Sequence, residues 1–269
     1  MAAIPLYAYG YAHWEADLVA GRVGDLLLVL VAWMLLSAGT MWLNAGLDQT
    51  DASAVFARPT TVPRGIRWFG VGALALSVAL AWAAERTSGL AAAAAALLSI
   101  LYSHPRTACK GHPLFGPLVN AVGYGVLSPM AGWALSGARP TPRAFVTWGL
   151  WTLWMLGAYF AAQVFQAEQD AARGYRTLVV TLGPARTLGV ARGCMNTAVA
   201  LAAILTVGGL YPRLTLLAYP LFLWADAHAR RWHAAPEGGG AARAEQLLRR
   251  MLAGGIVLGA LAYLAYWFA

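Results

Sequence analysis

Apolar residues run almost unbroken through windows of about 20 residues, and the polar residues collect in the stretches between them. At about 1.5 Å per helical residue, such a window crosses the roughly 30 Å hydrocarbon layer of a bilayer. The pattern predicts membrane-spanning helices over approximately 23–47, 67–85, 88–103, 114–136, 144–169, 187–209, 212–227 and 249–268. Residues 1–16, MAAIPLYAYGYAHWEA, are apolar and aromatic but too short to span fully. They lack the basic start and small-residue cleavage site of a signal peptide, and read as the last part of a truncated first helix. The expectation is an all-α polytopic membrane protein, about nine helices around a central cavity, forming a single domain over residues 1–269. The apolar runs are continuous rather than alternating, which excludes a transmembrane β-barrel.

Composition supports this class. Hydrophobic residues make up 60% of the chain and charged residues 11%, less than half the share of a soluble domain. Mean hydropathy is +0.59. Cys109 and Cys194 stand at neither disulfide nor metal-ligand spacing and read as ordinary thiols.

Charge sets the orientation. Arg22, Arg86, Arg139, Arg143 and Arg213 fall in loops on one predicted side, and the remaining fourteen of the nineteen basic residues fall on the other. Basic loops stay in the cytoplasm, so the richer side is expected to face it, in a multi-pass protein of a bacterial inner membrane. The net charge of +8 follows from this asymmetry, attracts anionic lipid headgroups and requires no nucleic acid as partner.

The polar residues inside the helices carry the candidate chemistry. Ser37, Thr40, Asn44, Asp48 and Asp51 recur at helical spacing along one stripe of SAGTMWLNAGLDQTD. Asp and Asn are common at solvated helix ends. This stripe, however, continues inward to Thr40 and Ser37, where ionisable and polar groups are expensive and read as functional. Two carboxylates and an amide oxygen are hard ligands suited to Mg2+, an ion that shares its coordination with phosphates. Arg58 and Arg64 follow in AVFARPTTVPRG and are suited to gripping phosphate oxygens in pairs. A second helix, YFAAQVFQAEQDAARGYRT, places Tyr159, Gln163, Gln166 and Asp170 on one stripe.

At these residues the chain resembles the UbiA superfamily of intramembrane prenyltransferases. The first signature of that family is an Asn, an Asp four residues on, another Asp about four further, and an RP-containing loop ending in Gly. Asn44, Asp48, Arg58-Pro59 and Gly65 match it, while Asp51 stands three residues after Asp48 and Ala52 holds the usual place. Both spacings keep a side chain on the same helical face. The second signature, DxxxD followed by a Gly-containing turn, aligns with Gln166, Asp170, Gly174, Arg176 and Leu182-Gly183, with Gln166 in place of the first acid. Glu168 lies about 160° from Asp170 on a continuous helix and does not substitute for that acid. LYSHPRTACKGHP is similar to a family loop and aligns Tyr102, Ser103, Pro105 and Lys110, with Arg106 as an additional cation.

The resemblance implies a Mg2+-dependent prenyltransferase that moves a prenyl group from a polyprenyl diphosphate to an aromatic or other lipophilic acceptor. It implies Mg2+ ligation by Asn44, Asp48, Asp51, Gln166 and Asp170, and diphosphate binding by Arg58, Tyr102, Arg106, Lys110 and Arg176. Asp48, Lys110 and Asp170 are the residues on which catalysis is expected to depend. The same metal site would also serve a membrane terpene cyclase of the family, in which the substrate's own double bond captures the cation. A transporter or lipid-binding protein is the reading from a different class. Transporters place ionisable groups near the midplane of paired repeats, whereas the acids here cluster at one membrane face.

Overall fold

The computed structural model describes residues 3–16, 22–48, 62–63, 65–236 and 240–268, and among them the chain is helical without a strand. The elements are α1 (Ala3–Ala16), α2 (Val23–Asp48), α3 (Ile66–Ala84), α4 (Arg86–Ser103), α5 (Phe115–Val122), α6 (Ser128–Ala134), α7 (Pro142–Phe165), α8 (Ala167–Ala172), α9 (Leu178–Leu182), α10 (Pro184–Val207), α11 (Tyr219–Ala234) and α12 (Gly240–Phe268). Five of these, α2, α3, α7, α10 and α12, are long and apolar enough to cross a membrane. The helices group into two compact units. One comprises Met1–Lys110 with Leu118–Trp148, and the other Gly111–Pro117 with Gly149–Ala269.

In the first unit, α2 and α3 pack backbone against backbone. A Cβ added at Gly70 would stand 2.6 Å from the Leu43 amide nitrogen, and one at Gly39 would stand 2.9 Å from the Gly70 carbonyl oxygen. Such close approach through small residues is the usual means of joining helices in lipid, where burial of apolar surface supplies little drive. Between α3 and α4 the chain turns at a single extended residue, Glu85. Its N–H donates to the Ala81 carbonyl and its carboxylate accepts from the Ser88 N–H at 2.8 Å, so one residue closes one helix and opens the next. Arg22 secures the other side of this corner, donating to Asp25 and to the Ala84 carbonyl, each at 2.7 Å.

The predicted span 114–136 is interrupted. A π turn occupies Gly123–Leu127, where the Ser128 N–H reaches back to the Gly123 carbonyl. Pro129 follows and has no N–H to continue the ordinary ladder, a known cause of local widening. Ser128 stabilises the site by donating its hydroxyl to the Gly123 carbonyl at 2.7 Å and accepting from Trp33 Nε1 at 2.8 Å.

In the second unit, α11 and α12 reach further into polar sequence than hydropathy predicts. The polar C-terminal end of α11 is held by Asp226, which pairs with Arg192 of α10 and with Arg230 one turn on, both at 3.1 Å. The polar start of α12 carries a Glu245–Arg249 pair at 2.6 Å, in the favourable i, i+4 order. The apolar part of the unit packs around Trp154 and Phe222, edge to face at 5.0 Å.

Candidate functional site

The last two turns of α2 place Asn44 and Asp48 one above the other, as their i, i+4 spacing requires. Lys110 stands in a short 3-10 turn, Cys109–Gly111, after the loop that follows α4. That loop is wound tightly on the α4 end. Thr107 donates its hydroxyl to the Leu101 carbonyl at 2.7 Å, and the Ala108 N–H donates to the His104 carbonyl at 2.7 Å. Ala108 takes φ 37°, a left-handed conformation that is costly for a residue with a Cβ and is met most often at functional sites. The result brings the Lys110 ammonium to both helix residues. It donates to Asn44 Oδ1 at 2.6 Å and forms a short ion pair with Asp48 Oδ1. Lys110 is only 8% exposed and Asp48 12%. An amide oxygen and a carboxylate oxygen therefore converge on one cationic centre in a largely dry setting.

The inner part of the predicted stripe has a different role. Thr40 shares a 2.8 Å hydrogen bond with Ser99 of α4, and Ser37 donates to the Trp33 carbonyl at 2.8 Å. These hydroxyls tie helices and backbone together, leaving Asn44 and Asp48 as the described members of the stripe that meet a cation. Asp51, Arg58 and Arg64, named from sequence, lie outside the described residues. Tyr102 is half-buried on α4, within electrostatic reach of the Tyr124 hydroxyl in the π turn. Arg106 is exposed. His104 and His112 act as caps, His104 Nδ1 accepting from the Arg106 N–H at 3.2 Å and His112 Nδ1 from the Leu114 N–H at 3.2 Å.

The second constellation is built differently. Sequence predicts a continuous helix across it, but α7 ends at Phe165 and α8 begins at Ala167. Gln166, at φ −96° and ψ 1°, forms the joint, and its N–H bonds the Gln163 carbonyl three residues back at 3.0 Å. Asp170 N–H then donates to the Gln166 carbonyl at 2.8 Å, which restores helical spacing between these two positions. Asp170 is buried, Gln166 half-buried and Glu168 exposed, in keeping with the expectation that Glu168 points away. The Asp170 carboxylate accepts from the Thr177 hydroxyl at 2.9 Å, and its backbone carbonyl accepts from the Tyr175 N–H at 2.9 Å. Gly174 makes that return possible at φ 72°, a conformation that accounts for a glycine in the motif. Arg176 is exposed, and its N–H donates to the Gly111 carbonyl at 2.8 Å. Deeper on α7, Gln163 is 4% exposed and its Oε1 finds no hydrogen-bond partner among the described residues.

Sequence reasoning missed Thr177. The signal was present, because Thr177 is an extended residue directly before α9, a position where Thr ordinarily caps its own helix. Its hydroxyl serves Asp170 instead.

The donor chemistry of the first constellation fits Mg2+ in part. Asn44 Oδ1 and Asp48 Oδ1 are hard oxygens already gathered about a positive charge. Among the described residues no group of three or more His, Cys, Asp or Glu comes together, so no protein cage closes around an ion. Few protein ligands and room for phosphate oxygens are the usual habit of Mg2+.

Comparison with known proteins identifies the fold and the family. A UbiA homolog from Archaeoglobus fulgidus has the same fold, with a TM-score of 0.67, 18% identity, and coverage of 98% of this chain and 96% of that one. The same homolog bound to GPP and Mg2+ aligns with a TM-score of 0.62 at 18% identity, covering 96% of each chain. Digeranylgeranylglyceryl phosphate synthase aligns with a TM-score of 0.64 at 14% identity, covering 97% of this chain and 93% of that one. No curated protein matches the sequence. The family model of the UbiA prenyltransferase family matches residues 2–251, almost the whole length. This chain is thus an integral membrane protein that belongs to the UbiA prenyltransferase family, and it is a prenyltransferase.

Proposed function

We propose that the chain is a Mg2+-dependent enzyme that transfers a prenyl group from a polyprenyl diphosphate to an aromatic or other lipophilic acceptor. The observation that carries this reading is the convergence of Asn44 Oδ1 and Asp48 Oδ1 on one buried cation. The A. fulgidus homolog, which shares the fold, binds GPP with Mg2+ and DMAPP with Mg2+. Mg2+, when bound by Asn44, Asp48, Asp51 and Asp170 with Gln166 as a neutral ligand, would supply positive charge against the diphosphate.

The chain's own residues then divide the work. Asp48 and Asn44 hold the Lys110 ammonium in place, so that it meets the leaving diphosphate without reorganising. Arg58, Arg106, Arg176 and Tyr102 donate to the outer phosphate oxygens, where bidentate guanidinium contacts fix orientation. Asp170, steadied by Thr177, brings a carboxylate to the second ligand set. The allylic C–O bond ionises in a site shielded from water, which prevents capture of the cation by hydroxide or water. The acceptor attacks the cation and gives up its proton, for which the departing diphosphate is the nearest base, and the prenyl tail lies among apolar helix faces. One domain over residues 1–269 serves this reaction, with its site toward the cytoplasm, as the distribution of arginines supports.

Mass spectrometry of products tests this, using the purified chain with short and long prenyl diphosphates, with and without aromatic acceptors. Prenylated acceptor is expected in Mg2+ and none in EDTA. Undiminished turnover in EDTA overturns the metal-diphosphate mechanism. Cysteines placed at residues 235–239 and 137–142 are expected to label from opposite sides of the membrane, the first from the cytoplasm.

A further inference from the structure

The last two helices of the second unit carry cations that the prenyl-transfer reaction does not use. At their centre, His228 of α11 is buried and donates through Nε2 to the Arg243 carbonyl of α12 at 3.0 Å. Arg250, two turns along α12 from Arg243, lies over the Trp224 ring at 4.1 Å and donates to the Trp224 carbonyl at 3.1 Å. Arg243 donates to the Ala235 carbonyl, and Arg231 is exposed one turn beyond His228. Burial is the first cause holding the imidazole of His228 below the usual histidine range. Arg250, Arg243 and Arg231 push it the same way, against the opposing effect of the hydrogen bond to Arg243. Three guanidiniums therefore crowd one neutral imidazole.

Among the described residues, the neighbouring carboxylates are committed elsewhere. Asp226 is taken by Arg192 and Arg230, and Glu245 by Arg249. Among the described residues, Arg231, Arg243 and Arg250 bond only to carbonyls or to no acceptor, and their mutual repulsion favours an anion. Beside them the surface changes character. Leu223 is 64% exposed and Trp224 48%. Arginine against a half-exposed tryptophan, next to an exposed leucine, is the chemistry of the headgroup boundary of a membrane.

We propose that this face of α11 and α12, formed by Arg231, Arg243, Arg250 and Trp224, binds the phosphate of an anionic phospholipid whose acyl chains lie along α11 at Leu223. The guanidiniums donate to the phosphate oxygens in pairs, and Trp224 keeps Arg250 extended toward them. Free inorganic phosphate offers the same oxygens but nothing to cover Leu223 and the edge of Trp224, so the lipid is the occupant that satisfies both parts of the surface.

Native mass spectrometry of the full detergent-solubilised chain, titrated with dioleoyl phosphatidylglycerol or phosphatidylcholine, tests the site separately from turnover. Phosphatidylglycerol is expected to bind on the order of tenfold more tightly than phosphatidylcholine, given the contribution of each basic residue near a lipid surface. The Arg243→Gln/Arg250→Gln protein should bring the two lipids within about twofold, since those charges carry the difference. Arg231→Gln, a surface change that leaves the helix contacts intact, should produce a partial loss, while Arg213→Gln before α11 should retain the full preference. Equal binding of the two lipids by the unaltered chain overturns the proposal, as does an undiminished preference in folded Arg231→Gln and the double variant. Displacement of phosphatidylglycerol by millimolar inorganic phosphate would identify a simple phosphate site and overturn the lipid assignment.

Discussion

At the end of α2 a carboxylate meets an ammonium, and at α8 a carboxylate meets a hydroxyl. Each motif places a carboxylate on a helical stripe, yet the two are stabilised by different physics. Asp48 and Lys110 are a buried ion pair steadied by an amide oxygen, on a helix that runs unbroken to its end. Asp170 is as well buried but is held by Thr177 and by the loop that returns from Gly174. Loss of one charge in the first site strands the other in a setting where solvation is poor. Loss of the hydroxyl in the second removes one hydrogen bond from Asp170, a residue with further interactions. The first site should therefore be brittle in both stability and activity, and the second should separate the two.

The strongest way to break this comparison is Asp48→Ala. It leaves Lys110 buried with Asn44 alone, and stranding one partner of a buried pair costs about 3–5 kcal/mol. Turnover should fall by on the order of a thousandfold or more, since the substitution removes both the anchor of the lysine and the charge of a proposed metal ligand. Asp48→Leu combined with Lys110→Met should recover most of the melting temperature, because an apolar pair of similar volume avoids the desolvation penalty. It should recover no activity. A double variant that turns over normally would show that the ion pair is structural only.

A second step is Asp170→Asn, which keeps the size and the bond from Thr177 but removes the charge. Activity is expected to fall by roughly ten- to a hundredfold, with stability changed by about 1 kcal/mol or less, the scale of one hydrogen bond. A stability loss equal to that of Asp48→Ala would erase the proposed difference between the sites. Thr177→Val should show the reverse weighting. Removing a donor from a buried acceptor costs about 1–3 kcal/mol. Turnover should fall less than with Asp170→Asn, and Thr177→Ser should restore both.

The contrast also explains what was legible in the sequence. Helix positions follow from apolar length, so α2, α3, α7 and α10 lie close to their predicted spans, whereas α12 starts at Gly240, before the apolar run that predicts it. Asn44 and Asp48 share a face because spacing alone dictates it. The pairing of Asp48 with Lys110 joins residues 62 apart, and no local pattern encodes it. The π turn at Gly123–Leu127 lies within a largely apolar run marked by Gly123, Gly125 and Pro129, residues that permit a break without fixing its form. The joint at Gln166 was hidden because QVFQAEQD contains neither Gly nor Pro, and the turn is made by a single altered backbone angle. Tertiary packing decides such breaks, and propensity gives no warning of them.

The smallest expected effect is the most discriminating. Gln166 is half-buried at the joint between α7 and α8, one helical turn before Asp170, while Gln163 is almost fully enclosed on α7. Gln166→Asp restores the acid that the family signature carries there, and its partial exposure allows the new charge to be solvated or matched by a cation. The variant should fold with a melting temperature close to that of the unaltered chain. It should reach half-maximal activity at lower Mg2+, by roughly threefold to tenfold, because affinity rises with ligand charge. Gln163→Asp should behave oppositely, since an acid held within a membrane helix costs about 2.5–3.5 kcal/mol near its centre. Thermal melts and Mg2+ titrations on the two proteins, side by side, measure both effects. If the 166 variant fails to fold while the 163 variant is stable, Gln166 faces packed helix or lipid, and the second constellation loses its claim to be a ligand set.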